Sequence, residues 1–268
     1  MALVSPRLAR EVILAALRHL PGKPARLLMV HSSLSSCGYI KGGAVTVISA
    51  LQEWKEAGTL AMPAHTYCYP KPDGTCPVYI VDQTPSVVGA ITDCFWRMPG
   101  VQRSLHPTHS LSCEGPEASR LISGHENCRT PCGKGTPYEH LVEADASVLM
   151  FGASLDSYTL FHTAEDAANV PYLYEPKPYL LKICRRDGAT QDFPMLRQDM
   201  TVTRRFADMA SWLEERKLLV RQPVGKGELL WLPSALAIHH ALTDALRREP
   251  WLLVAKAERP STSQINFD

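Results

Sequence analysis

Three short apolar runs each break into a loop of small polar residues and histidine. Arg26 to Val30 leads into HSSLSS, Thr59 to Met62 into PAHTY, and Val148 to Phe151 into GASLDSYTLFH. Runs this short, bounded by Gly, Pro and Ser and separated by stretches of helical periodicity, read as buried strands of a parallel or mixed sheet. Such a sheet needs helices over its faces and gathers ligands at the carboxyl ends of its strands. A chain of 268 residues, 45% apolar and 21% charged, is long enough to bury that core and too apolar for disorder. The expected fold class is therefore α/β: one layered domain over residues 1–268, with a central mixed sheet flanked by helices and a smaller helical C-terminal region from about residue 200.

Helical spacing is written in Gly43 to Lys55, with Val47, Ala50, Leu51 and Trp54 on one face. It recurs in Val202 to Lys217, through Phe206, Met209, Ala210 and Leu213, and from Pro233 to about Arg248, stopping before Pro250. The run Val12 to Leu17, bracketed by Arg7, Arg10 and Arg18 with no small-residue cleavage site after it, reads as an amphipathic helix and not a secretory leader. Pro171 to Pro178 (PYLYEPKP) is stiff and suits a lobe boundary, and the tail 261–268 reads as loose.

Charge narrows the function classes. The net charge of +1 comes from mixed acidic and basic residues, which lacks the basic footprint of a nucleic-acid binder. No run approaches the roughly 18 apolar residues of a membrane span. A cytoplasmic protein that handles small molecules, with neither nucleic acid nor membrane as partner, is the expectation. Among eight cysteines only Cys128 and Cys132 lie close together, so free thiols are expected and no metal.

Three stretches carry chemistry. In HSSLSSCGYIKGG, residues 31–43, a strand-to-helix turn rich in glycine and hydroxyls lets backbone N–H groups and a helix dipole face an anion, with Lys41 adding a charge. It is neither a Walker loop nor a dinucleotide fingerprint, and serines that merely cap the helix are the competing reading. In RSLHPTHSLSCEG, residues 103–115, Pro107 keeps His106 and His109 off a regular helix face, which suggests an ordered loop with hydrogen-bonded histidines. In SYTLFHTAEDAANVP, residues 157–171, His162 and Glu165 stand at i and i+3. On a helix starting there, both face the end of the preceding strand. A carboxylate beside an imidazole fixes its tautomer and raises its basicity, as a general base requires. A surface helix with an incidental acidic cluster at Glu165 and Asp166 remains the alternative. Thr163 with Asp166 fits a capping box. His65, with Tyr67 beside it, stands at a strand end as a pocket residue, whereas His239 and His240 belong to the last helix as core and surface residues.

Taken together, VHSSLSSCGYIKGG, GTLAMPAHTY, DQTPSVVGAI, RSLHPTHS, GKGTPYEHL and VLMFGASLDSYTLFHTAED resemble, in this order and spacing, the aminoglycoside 3-N-acetyltransferase family, the antibiotic N-acetyltransferases that do not share the GNAT fold. The resemblance spans roughly residues 27–172. It implies transfer of an acetyl group from acetyl-CoA to an amine, the 3-amino group of an aminoglycoside, by direct attack in a ternary complex. It makes His162 the base, oriented by Glu165 and preceded by Thr159. It also makes 31–43 the cofactor loop, with His31, Ser32, Ser33, Leu34, Ser35, Gly38, Lys41, Gly42 and Gly43 along the coenzyme, and Ser104, His109 and Ser110 completing its channel. His65, Tyr67, Asp156 and Asp166 are then expected at the acceptor.

Competing readings are an acetyltransferase for another amino-bearing metabolite, a metal-dependent hydrolase using His106, His109 and His162 or His65, and a non-catalytic relative that binds a CoA-like ligand. The hydrolase predicts stoichiometric zinc; the transferase does not.

Overall fold

In the computed structural model, which describes residues 8–22, 24 and 26–260, every one of the three apolar runs is a buried strand. The tail 261–268 lies outside the described residues. In chain order the elements are α1 (Arg10–Arg18), β1 (Leu27–Ser32), α2 (Gly43–Trp54), β2 (Thr59–Pro63), β3 (Val78–Ile80), α3 (Ala90–Phe95), β4 (Gln102–Arg103), β5 (Leu111–Glu114) and α4 (Ala118–Ile122). There follow α5 (Pro137–Glu143), β6 (Ser147–Phe151), α6 (Phe161–Ala167), β7 (Tyr179–Cys184), β8 (Thr190–Met195), α7 (Ala210–Glu215), β9 (Val220–Val224), β10 (Gly227–Leu232) and α8 (Ala235–Arg248).

Seven strands form one mixed sheet in the order β4-β5-β2-β1-β6-β10-β9. Its centre is parallel, β1 pairing with β2 (Met29 opposite Ala61) and with β6 (Val30 opposite Leu149), and β5 and β10 flank that centre antiparallel. The twofold alternation of a strand divides each run between two cores. Leu28, Val30, Leu60, Met62, Leu149 and Phe151 face one layer with Ile13, Leu17, Val47, Leu51 and Phe95. Leu27, Met29, Ala61, Val148 and Met150 face the other, with Leu141, Phe161, Ile238 and Leu242. Each such aliphatic side chain contributes roughly 1.5–3 kcal/mol by its burial. Because both faces are covered, the strands read as continuous apolar runs instead of alternating ones. Among the described residues no helix is long and apolar enough to cross a membrane, and all eight cysteines are free thiols.

Three expectations change. The helix expected over Val202 to Lys217 starts only at Ala210, after a 3-10 turn at Phe206–Met209, because Arg204 and Arg205 are held by bridges to Val254 and Leu253. The region beyond 200 is not simply helical, since β9 and β10 turn on Gly225 (φ 59°) and pair into the main sheet. Thr163 does not cap α6: it sits within the helix, its hydroxyl donating to the carbonyl of Leu160 at 2.7 Å. The stiff segment 171–178 leads into a second sheet, β3-β7-β8, with its own core of Tyr79, Leu181, Ile183, Phe193 and Met195.

Candidate active site

The central parallel strands β2, β1 and β6 end side by side, and their last residues or following loops supply Pro63 and His65, His31 and Ser32, and Asp156 to Thr159 to one cavity of about 550 Å³. Concave sites of that size are typical of small-ligand binding. Its far wall comes from the segment after β8, Arg197, Gln198, Met200, Val202, Arg204 and Phe206.

His162 enters the cavity from the first turn of α6. Its Nδ1 lies 2.5 Å from Oε2 of Glu165, one turn on and fully buried. A carboxylate only accepts, so Nδ1–H donates, and in the neutral imidazole the lone pair is on Nε2. Phe206 packs edge-on to the imidazole at 5.1 Å between ring centres. Burial alone pushes the Glu165 carboxyl up, yet the imidazole of His162 and the guanidinium of Arg204 outweigh it and hold the group below the ordinary carboxylate range. The second oxygen, Oε1, accepts from Nε of Arg204 at 3.2 Å. An imidazole held at Nδ1 by an ionised carboxylate thus borders the cavity.

Three further imidazoles line the same space and have no carboxylate partner there. Burial pulls His31 and His109 down to about 3, and His65 is lowered by burial and by neighbouring histidines. They are neutral at neutral pH. The hydroxyl of Tyr138 donates to the carbonyl of His109 at 3.0 Å, so it accepts from Nε2 of His65 at 2.8 Å. Nδ1 of His65 is then left to accept from Tyr67 at 3.1 Å. Several buried polar atoms on the cavity residues have no protein partner: Nε2 of His31, Oγ of Ser32 and Nε2 of Gln198. Leaving such groups unpaired costs about 1–3 kcal/mol each, which a bound ligand would recover.

The structure brings His31, Ser32, His65, Tyr67, His109, Asp156, Thr159 and His162 onto the cavity, with Glu165 directly behind His162. The rest of the opening loop runs away from it. Ser33 bonds Ser36, Leu34 packs on the α1–α2 core, Ser35 begins a 3-10 turn and Gly38 lies against Lys226. Lys41 is exposed, while Gly42 (φ 84°) and Gly43 (φ 59°) open α2 in a left-handed conformation that suits glycine. Three expected site residues are elsewhere. Ser104 is buried, accepting from Leu111 N and bonded to Nδ1 of His125, both at 2.8 Å. Ser110 accepts from the buried Arg103 and donates to the carbonyl of Ala64. Both serines satisfy interior polar groups and neither lies on the cavity. Asp166 accepts from the hydroxyl of Tyr174 at 2.6 Å on the outer side of α6.

Sequence reasoning missed Arg197, Gln198 and Arg204. They lie beyond the motifs, in a segment without regular periodicity, and only the buried cation Arg204 carried a signal, since a charge amid Val202 and Phe206 demands a partner. The hydrolase reading finds no ligand set: His106 stacks on His125 at 4.3 Å away from the cavity. Among the described residues no three His, Cys, Asp or Glu side chains are grouped to hold a metal ion.

A layered mixed sheet whose parallel strands end at a histidine–carboxylate pair, open to a cavity with unpartnered polar atoms, fits an enzyme that works by acid–base chemistry. The chain belongs to the aminoglycoside 3-N-acetyltransferase family, whose sequence model matches residues 29–244. It is 32% identical over 253 residues to an aminoglycoside N(3)-acetyltransferase IV from Salmonella sp, covering 92% of this chain and 90% of that one. Among solved structures, a variant of aminoglycoside acetyltransferase AAC(3)-IVa in complex with a gentamicin superposes with a TM-score of 0.80 at 28% identity, over 96% of this chain and 95% of that one. The fold is also shared, at 24% identity and a TM-score of 0.80, with AAC-IIIb bound to CoASH, over 91% and 98% of the two chains.

Proposed function

We propose that this protein transfers the acetyl group of acetyl-CoA to the 3-amino group of an aminoglycoside, with His162 as general base. The observation that carries the reading is the His162–Glu165 pair, which fixes the imidazole through Nδ1 beside a cavity large enough for a reactive arm and an amine. Family membership supplies the reaction class. Acetyl-CoA brings an acyl group activated as a thioester; everything else falls to the protein.

An alkyl ammonium is protonated at neutral pH and cannot attack until it loses a proton. Nε2 of His162 takes that proton, and Glu165 stabilises the imidazolium so formed; positioned bases of this kind contribute about 10²–10⁴ in rate. The hydroxyl of Thr159, 6% exposed and on the cavity, supplies a donor for negative charge developing on the acyl oxygen. His31 and Ser32 carry unpartnered atoms that fit a polar amide arm of the coenzyme, and the loop from Ser33 to Gly43 leads from them to the N-terminus of α2. Tyr67, Asp156 and Gln198 then face the acceptor. Acetylation cancels one ammonium charge of an antibiotic that depends on its charges, so resistance is the expected consequence, in the cytoplasm where the coenzyme is made.

Thiol release from acetyl-CoA, measured against aminoglycosides with free and with blocked 3-amino groups, tests this. Release confined to free 3-amino acceptors is expected. Binding of acetyl-CoA without release for any aminoglycoside moves the acceptor to another amine, and absence of coenzyme binding discards the reading.

A further inference from the structure

Glu165 is fully buried, and its two oxygens are divided between two elements. Oε2 faces His162 on its own helix, and Oε1 faces Arg204, 39 residues further along the chain. Arg204 is itself only 10% exposed and its side chain is held from every side. Nη1 donates to the carbonyls of Asp199 (2.8 Å) and Val202 (3.5 Å), Nη2 to that of Leu173 (3.4 Å), and the guanidinium lies 5.5 Å from the ring centre of Tyr172. Its backbone bridges to Val254. A side chain anchored at so many points has little rotamer freedom left, so the position of its Nε is fixed, and with it the oxygen it holds.

The other groups around the pair bring no second positive charge to Glu165, although the neutral hydroxyl of Tyr172 also adjoins its carboxylate. The hydroxyl of Tyr172 and the thiol of Cys132 are pushed up by burial and stay neutral. His65 and His109, across the cavity, are neutral through burial. Asp166 is bonded to Tyr174, Asp156 accepts from Ala207 N, and Arg197 is paired with Glu175 at 3.2 Å. Among the described residues, Arg204 is the one permanent cation in contact with Glu165.

We propose that Arg204 is a positioning residue of the catalytic pair, fixing the Glu165 carboxylate against His162 and, by its charge, keeping the imidazole available as free base at lower pH than the pair alone would allow. This rests on the proposed role of His162. With Arg204 present the resting trio is neutral overall; without it the buried carboxylate has only the imidazole as counter-charge and favours the imidazolium, a poor base. Arg204 also belongs to the wall formed by Arg197 to Phe206, so the same side chain that orients the base ties down the segment facing the acceptor.

The test compares wild type, Arg204→Met, Arg204→Lys, Glu165→Gln and the double variant Glu165→Gln/Arg204→Met, following thiol release between about pH 5.5 and 9 to obtain the pH profile of kcat/KM. Arg204→Met should move the acid limb up by about one pH unit or more and lower kcat at neutral pH about tenfold or more, with little change in KM for acetyl-CoA. Arg204→Lys, which keeps the charge but not the fork, should retain the wild-type limb with a smaller loss of kcat. In the Glu165→Gln background, where no carboxylate is left to position, removing Arg204 should cost a smaller fold of kcat than it does in the wild type. A wild-type limb in Arg204→Met, or an equal fold-loss in both backgrounds, overturns the proposal and leaves Arg204 a purely structural side chain. Should Arg204→Met fail to fold, Arg204→Lys is compared in the wild-type and Glu165→Gln backgrounds in its place, and an equal fold-loss in both overturns the proposal. Undiminished turnover in His162→Ala would instead refute the base itself.

Discussion

Acidification to pH 5 should destabilise this protein far more than its surface charge implies, because the neutral state of its buried histidines is a folded-state property. His31 and His109 are held down to about 3, and burial and neighbouring histidines lower His65, His106 and His125 in the same direction. The sign follows from proton counting. Above about pH 6.5 these residues are neutral in both folded and unfolded chains and contribute nothing; below it the unfolded chain takes up protons that the folded chain refuses, so stability falls until the folded value is reached. One histidine shifted from 6.5 to about 3 loses about 1.9 kcal/mol of stability between pH 7 and pH 5. That figure is insensitive to the folded value so long as it lies well below 5. His31 and His109 alone therefore remove about 4 kcal/mol, a large part of the about 5–15 kcal/mol that holds a domain of ordinary stability. His65, His106 and His125 add to it. Urea unfolding at several pH values measures the effect directly. A slope of at least two protons between about pH 6 and pH 5 is expected, falling by about one in a His109→Gln variant. A slope below one proton would refute the reasoning, and would mean that these imidazoles gain partners or water on protonation.

Further outcomes concern the site. His162→Ala should lower turnover about 10²–10⁴-fold while sparing acetyl-CoA affinity by calorimetry, since the coenzyme contacts proposed for His31 and Ser32 lie elsewhere on the cavity. Gln198→Leu, which removes the unpartnered amide, should raise the acceptor KM about 3–10-fold and leave coenzyme binding unchanged; an unaltered KM would remove Gln198 from the acceptor wall. A bulky residue at Gly42 or Gly43, both left-handed, should weaken acetyl-CoA binding if the loop follows the coenzyme. Gly152→Ala places a Cβ 2.7 Å from Sγ of Cys37 and 2.8 Å from the carbonyl of Ser33 at φ 65°, and should cost about 2–4 kcal/mol in urea unfolding.

The central sheet was legible because β1, β2 and β6 are buried on both faces and so spell uninterrupted apolar runs, each stopped by a polar loop. The second sheet was not: β7 and β8 bury only alternate residues, Leu181 and Ile183 against exposed Leu180 and Lys182, and their interruption by charges hides the strand. The helix expected from Val202 had the right face, since Phe206, Met209 and Leu213 are buried, but periodicity cannot see that Arg204 is recruited by a buried carboxylate far away in sequence. Within the site, His162 with Glu165 could be read from their spacing because one helical turn joins them. Ser104 and Ser110 could not be placed, for a serine that satisfies a buried arginine or histidine and a serine that lines a channel look alike in sequence.

The cavity's four histidines illustrate how burial assigns roles that residue type does not. An amine acceptor arrives as a cation, and a wall of charged imidazoles would repel it; His31, His65 and His109, kept neutral by desolvation, present none of that repulsion. None of the three has a carboxylate to stabilise an imidazolium, so none is suited to keep a proton taken from the substrate. His162 has one, in Glu165, and Glu165 in turn has a fixed cation in Arg204. Acid should therefore act on the protein twice through different residues: reversibly on turnover through His162 and Glu165, and cooperatively on folding through the neutral cluster. Arg204→Met separates the two, moving the activity limb upward while leaving the proton uptake of the neutral cluster on unfolding in place.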